Sequence, residues 1–259
     1  MKTIRNSNQT ISVLIEARNE AEQIEACIES AKLLTDSVVL IDMESTDNTS
    51  ALAKKAGVLV YSFPKQRYVE PAREFGIRKV ENDWVLILDA DERISQELAD
   101  EIQREIQSKE YTHFQIPRKN VFGPQWLKNG GWWPDYQMRL IKLSAFNSWP
   151  TRIHATPLIQ GESKRLMNPI VHYFHGDFEQ MVQKTAVFED IESELLLKAG
   201  RAAGTPIFFR KFLGEFTRRM IFKRGFQDGK VGIMESIYQA FSKTVTYLYL
   251  YEKKKSRTV

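Results

Sequence analysis

An α/β fold built round a parallel sheet and followed by a basic helical extension is predicted by three observations. Short apolar runs of strand length alternate with helical stretches of ten or so residues through about residue 110. Three of those runs end in polar clusters, Glu16–Glu20, Asp42–Asp47 and Asp89–Glu92, which a parallel sheet would bring to one edge. The charge is unevenly divided: twelve Lys and Arg against four Asp and Glu from Pro206 onward, and 25 against 29 before it.

A chain of 259 residues can bury a sizeable core. The single cysteine, Cys27, rules out an internal disulfide and fits a reducing compartment. MKTIRNSNQT has no apolar core of signal-peptide length, and no run approaches the ~20 apolar residues of a membrane span, so a cytoplasmic location is expected. In the basic tail the cations alternate with Phe, Met, Ile and Tyr, which suits an anionic membrane surface and not nucleic acid.

Ile11 to Ile15 reads as the first buried strand, with Asn19 an N-cap for a helix carrying Ile24, Cys27, Ile28 and Ala31. A second strand, Val38 to Ile41, ends at Asp42; Ser45-Thr46-Asp47 opens a helix through about Ala56, and Gly57 stops it. Val58 to Tyr61 is a third strand, and Pro71 to Val80 a helix that leads into Trp84 to Leu88. No glycine-rich phosphate loop is present, so a diphosphate would be handled by metal and arginine.

Asp89 and Asp91 stand two apart, so if the chain stays extended both side chains leave the sheet edge in the same direction. Two carboxylates there repel each other unless a cation sits near them, and a hard ion, Mg²⁺ or Mn²⁺, completed by substrate phosphates is the economical solution. A solvated strand end that caps the next helix is the other reading of the same residues.

ISVLIEARNE, VVLIDMESTDNT, PAREFGI and DWVLILDADER, in this order and spacing, resemble the nucleotide-sugar half of a family-two inverting glycosyltransferase with the GT-A fold. NGGWWPDYQMRL, RIHATPL, IVHYFH and the basic RRMIFKRGFQDGKVG are similar to a bacterial subgroup that includes lipopolysaccharide inner-core glucosyltransferases. The resemblance implies a Rossmann-like mixed sheet flanked by helices. It divides the chain into a catalytic domain over 1–175 (nucleotide-sugar half about 10–110, acceptor half about 111–175) and a helical basic amphipathic extension over 176–259. It further implies that Ala17, Arg18, Asn19 and Asp42 line the base and ribose pocket and that Arg73 approaches the nucleotide. Asp91 would be the direct metal ligand, Asp89 would meet ribose or the metal's waters, and Glu92 would fix the loop. The sequence departs from the family at Glu16, usually uncharged, at Met43-Glu44, and at Ala155, where an acid commonly follows the histidine.

Residues 123–133 hold three tryptophans and three glycines, which excludes a regular helix. Trp132 and Trp133 are acceptor candidates because sugar rings stack on such faces, although Trp126 and Trp133 could equally plug the core. Asp135 is the candidate general base for the acceptor hydroxyl, with a turn aspartate as the alternative. Gln137 and Arg139 alternate with apolar residues on a strand from Met138 to Leu143, so both can face the cleft, Arg139 steadying the leaving diphosphate. His154 is a metal or phosphate candidate, with a structural histidine as the alternative; His113, His172 and His175 read as mainly structural, with one of His172 and His175 lining the acceptor site as the alternative. Beyond Asp177, helical repeats end in one from about Val231 to Tyr251 that carries Met234, Ile237, Tyr238, Phe241, Val245 and Leu248 in phase. That face closes onto the rest of the protein or a partner subunit, or anchors the chain at a membrane.

The reading is a metal-dependent inverting glycosyltransferase moving a hexose, glucose from UDP-glucose, to a bacterial surface glycan or lipid-linked saccharide at the inner face of the cytoplasmic membrane. A homo-oligomer is allowed. The rivals are a sugar nucleotidyltransferase, expected to carry a glycine-rich loop that EARNE lacks, and a non-catalytic sugar-binding protein of the membrane surface.

Overall fold

The computed structural model describes residues 9–151, 155–174 and 178–256. The first half alternates as expected: β1 (Ile11–Ala17), α1 (Ile24–Ala31), β2 (Val38–Asp42), α2 (Thr49–Lys55), β3 (Leu59–Ser62), α3 (Glu70–Ile77), β4 (Trp84–Asp89), β5 (Glu92–Arg93) and α4 (Gln96–Glu105). There follow β6 (His113–Phe122), β7 (Gln125–Trp126), β8 (Asp135–Lys142), β9 (Phe146–Ser148), β10 (Leu158–Ile159), β11 (Ser163–Arg165) and β12 (Ile170–Tyr173). Three long helices close the chain, α5 (Phe178–Lys198), α6 (Thr205–Thr217) and α7 (Gly229–Ser256).

The main sheet runs β3-β2-β1-β4-β8-β6-β12-β5. β1 to β4 are parallel, while β8 joins β4 and β5 joins β12 antiparallel, so the sheet is mixed. Every residue of β1 is buried, as a central strand covered on both faces requires. Val13, Ile15 and Ala17 pack with Ile24, Cys27 and Ile28 of α1 and Leu98 and Ile102 of α4. Leu14 points the other way, into a second core with Ile41 and with Ala72 and Ile77 of α3. The register sets Ala17 beside Asp42 and Glu16 beside Asp89, so the carboxyl ends of three strands lie level.

Three local expectations are corrected. Asn19 caps no helix: α1 starts five residues later, and Asn19 takes φ 56° while its Oδ1 accepts the Thr46 N–H at 2.8 Å. α2 starts at Thr49, since Asp47 Oδ1 accepts the Thr49 N–H at 3.0 Å. Local pattern also predicts a strand from Thr112 to Ile116 that ends at Pro117, whereas β6 runs on to Phe122, because the fixed φ of proline is compatible with a strand and only one donor is lost.

The chain divides into two compact units, Met1–Arg118 with Tyr136–His172, and Lys119–Asp135 with Tyr173–Val259. In the second, β7 folds back on the end of β6 through Gly123 (φ 55°), and α5 and α6 pack against α7. The turn before α7 lies against that helix so closely that a Cβ on Gly232 would meet the Gly225 carbonyl oxygen at 2.0 Å. Backbone cannot move aside as a side-chain tip can. Gly232→Ala is therefore expected to lower the unfolding free energy by about 3 kcal/mol or more, read from denaturant melts; a variant as stable as the parent would contradict this packing.

Candidate active site

In the first unit, a cluster of charged side chains gathers at the carboxyl edge of the sheet. Arg73, from α3, donates through Nη2 to Asp89 Oδ1 at 2.7 Å; Arg139, from β8, donates through Nη2 to Asp89 Oδ2 at 2.5 Å and to Glu92 Oε1 at 2.7 Å. Glu92 Oε2 accepts the Asp89 N–H at 3.0 Å, and Arg118 Nη1 lies 3.7 Å from Glu92 Oε1. Arg93 holds the intervening turn, donating to the carbonyls of Ala90 and Glu92 at 2.8 Å each and to Gln23 Oε1 at 2.7 Å.

The chain turns at Ala90–Asp91 instead of staying extended, so the two aspartates reach different partners. Two arginines offset the charge of Asp89. Asp91 instead lies with its Oδ2 3.6 Å from His172 Nε2. Arg139, expected to face the cleft beside Gln137, is only 4% exposed and sets Asp89 and Glu92 in place. Glu92 fixes the turn.

Burial would push the Asp89 carboxyl up, but Arg139 and Arg73 outweigh it and hold the group well below the usual carboxylate range. Burial likewise opposes charge on Arg139, and Asp89 and Glu92 more than compensate. Glu92 is pushed up, chiefly by burial. Glu16 is the outlier: among the described residues its buried carboxylate oxygens have no hydrogen-bond partner, Arg73 Nε lies 4.0 Å away, and burial raises it to about 8.

The expected base and ribose residues lie along the same edge. Ala17 and Asp42 are buried, the Asn19 N–H donates to Ser45 Oγ at 3.0 Å, and Asp42 Oδ1 accepts the Ser45 N–H at 3.4 Å, tying the first turn and the loop after β2 together. Arg18 is partly exposed with its Nε buried. Arg73 also stacks on Trp149, 5.2 Å from the ring centre. His154 and His175 lie outside the described residues.

The second unit holds the aromatic loop. Asn120, fully buried, donates through Nδ2 to the Trp132 carbonyl at 3.1 Å and to Asp135 Oδ2 at 3.4 Å, so Asp135 opens a strand and is held from the side. Trp132 packs on Phe174 at 4.9 Å with Arg219 over its ring at 5.3 Å, and Trp133 meets Trp126 edge-on at 5.2 Å. Both tryptophans stay partly exposed. Asp228 ties the loop down: its carboxylate accepts the N–H groups of Lys128 at 2.9 Å and Asn129 at 2.7 Å and the Asn129 amide at 2.8 Å. A cavity of about 310 Å³ results, lined by Trp133, Phe222, Lys128, Lys223 and Arg224 with no acid among its walls.

Asn120 and Asp228 carry no functional assignment in the sequence, and for His172 the sequence offers the acceptor site as an alternative to a structural role. The place of His172 beside Asp91 carries no local sign, because it comes from β12 pairing with β5, which sets His172 opposite Glu92. Asp228 had one weak sign, the Asp-Gly step where Gly229 takes φ 63°.

Glu16 gives a pH test. Between about 4.5 and 8 the folded chain holds a proton that the unfolded chain has released, so stability falls as pH rises through that window, by roughly 1.4 kcal/mol per unit for this one group. Glu16→Gln cannot titrate and should gain on the parent steadily across the window in denaturant melts. Parallel pH profiles for the two proteins would contradict a buried, unpaired Glu16.

Comparison with known proteins agrees with this architecture. The family model for glycosyl transferase family 2 matches residues 12–163. An uncharacterized glycosyltransferase of Rickettsia typhi is 30% identical over 264 residues, covering 96% of this chain and 89% of the relative, and one of Rickettsia conorii is 28% identical over 273 residues, covering 98% and 95%. Among solved structures, glucosyl-3-phosphoglycerate synthase from Mycobacterium tuberculosis, in complex with Mn²⁺, UDP and glucosyl-3-phosphoglycerate, superposes with a TM-score of 0.51 at 17% identity, covering 77% of this chain and 83% of that one. The likeness extends to the GT-A fold. A level edge of parallel strand ends, an acid turn braced by arginines and a family match over more than half its length place this chain in glycosyl transferase family 2.

Proposed function

We propose that the chain transfers a hexose, glucose from UDP-glucose, with inversion to a bacterial surface glycan or lipid-linked saccharide such as lipopolysaccharide core. The observation that carries this reading is the Asp91–His172 pair, 3.6 Å apart beside an Asp89 already neutralised by two arginines. Among the described residues no group of three or more His, Cys, Asp or Glu side chains is placed to hold a metal ion. A pair suffices for Mg²⁺ or Mn²⁺, which take few protein oxygens and complete their shell from water and substrate phosphates. Such an ion supplies neutralisation of the charge that develops on a departing diphosphate. The glucosyl-3-phosphoglycerate synthase structures, solved with Mn²⁺ or Mg²⁺ and UDP, support the choice of ion and base.

Ala17, Arg18, Asn19 and Asp42 are assigned to the base and ribose, with the Asn19–Thr46 bond holding that edge in shape. Arg73 positions the donor. Asp135 takes the acceptor proton; its bond to Asn120 fixes the carboxylate beside Trp132 and Trp133, which offer faces to a sugar ring. Three cations and no acid in the neighbouring cavity favour an acceptor that carries phosphate or carboxylate groups. A lipid-linked acceptor would place the reaction at the cytoplasmic face of a membrane.

Titration calorimetry with UDP, GDP and ADP, each with Mn²⁺ and with chelator, tests the donor site. UDP should bind only with metal, and Asp91→Ala or His172→Ala should weaken that binding by about tenfold or more. Asp135→Asn should keep donor binding and slow transfer by about 10²–10⁴-fold. Binding of none of the three nucleotides would remove the donor assignment.

A further inference from the structure

α7 buries a mixed apolar and polar side, with Ala240, Tyr247 and Leu250 among its buried residues, and leaves a second apolar stripe outside. At 100° per residue, Ile233, Met234, Ile237, Phe241, Leu248 and Tyr251 fall within about a third of the helix circumference, and all six are 39–59% exposed. The opposite side meets α5 through several polar contacts. Ser242 and Thr246 both donate to the Glu189 carboxylate, Tyr238 shares a hydrogen bond of 2.7 Å with Thr185, and Lys253 pairs with Asp190 at 2.7 Å. Glu235 and Ser236 are buried as well. A helix that leaves about five turns of apolar side chain outside needs a cover. Among the described residues no helix is long and apolar enough to cross a membrane, so the stripe is not a span.

Charge identifies the cover. Lys230 and Lys255 lie on the apolar side of α7, one near each end, and Arg210, Lys223 and Arg224 are exposed on the preceding segments. The acids of this stretch do not offset them. Glu215 is occupied by Arg218 and Arg219, Asp228 by the loop at 128–129, and Glu235 is buried, which leaves Glu252 as the exposed acid among the four. A two-fold contact with another copy would set one basic rim against an identical one.

We infer that α7 lies in the plane of an anionic lipid bilayer, its apolar stripe in the acyl boundary and its cations at the headgroups. Docking of this kind does not depend on which nucleotide sugar is bound. Flotation of the full chain with vesicles tests it, using phosphatidylcholine alone and phosphatidylcholine mixed with phosphatidylglycerol. The chain should float with the mixed vesicles, less so at high salt, and about tenfold or more weakly after Ile237→Glu with Phe241→Glu or after Lys230→Glu with Lys255→Glu. These sites are on the surface, so thermal melts of both variants should match the parent and separate lost docking from lost folding. Failure to float with anionic vesicles, or flotation unchanged by the Ile237→Glu/Phe241→Glu pair, would overturn the inference. So would a dimer in sedimentation equilibrium that the same pair dissolves while no lipid is bound.

Discussion

One guanidinium sets the acidic turn at the carboxyl edge of the sheet. Arg139 is buried and bonds to Asp89 and to Glu92, and through Glu92 it holds the backbone of the turn that carries Asp91. A charge so placed is tolerable only because its partners are charged in the opposite sense; removing one member of such a set typically costs about 3–5 kcal/mol, since the others stay buried without it. Asp89 is thereby held on both carboxylate oxygens by arginine and through its N–H by Glu92. Asp91 is left to whatever His172 faces from the neighbouring strand pairing.

The second unit solves a different problem with the same means. A long glycine- and tryptophan-rich loop has too little regular backbone to hold itself, and the Asp228 carboxylate gathers three N–H donors from it. With Asp228 and Glu215 occupied in this way, the cavity beside Trp133 keeps Lys128, Lys223 and Arg224 in its lining, and Lys230 and Lys255 stand exposed on the outer side of α7. α7 buries both apolar and polar side chains and still leaves an apolar stripe outside.

Much of the fold could be read from local pattern. The apolar runs of β1, β2 and β4 survive as strands because they are buried on both faces, while β3, at the edge of the sheet, is largely exposed. Capping was less legible: Asn19 has the chemistry of an N-cap, yet its side chain is drawn to Thr46, a contact 27 residues away. The acidic turn was found, whereas the partner of each aspartate depends on β8 and β12, strands far along the chain. The in-phase apolar residues of α7 were seen, but pattern alone does not say which side of a helix faces in, and Tyr238 parted from the others because its hydroxyl finds Thr185. Glu16, noted as a departure, gains its meaning only from burial beside Asp89.

The central claim is that Asp91 and His172, and not Asp89, hold the ion that accompanies the donor. A crystal structure with UDP and Mn²⁺, with data collected at the manganese absorption edge, tests it most directly. The expected result is an anomalous peak within bonding distance of Asp91 and His172, with Asp89 still held by Arg73 and Arg139. A peak bonded to Asp89, with those arginines displaced, would contradict the account.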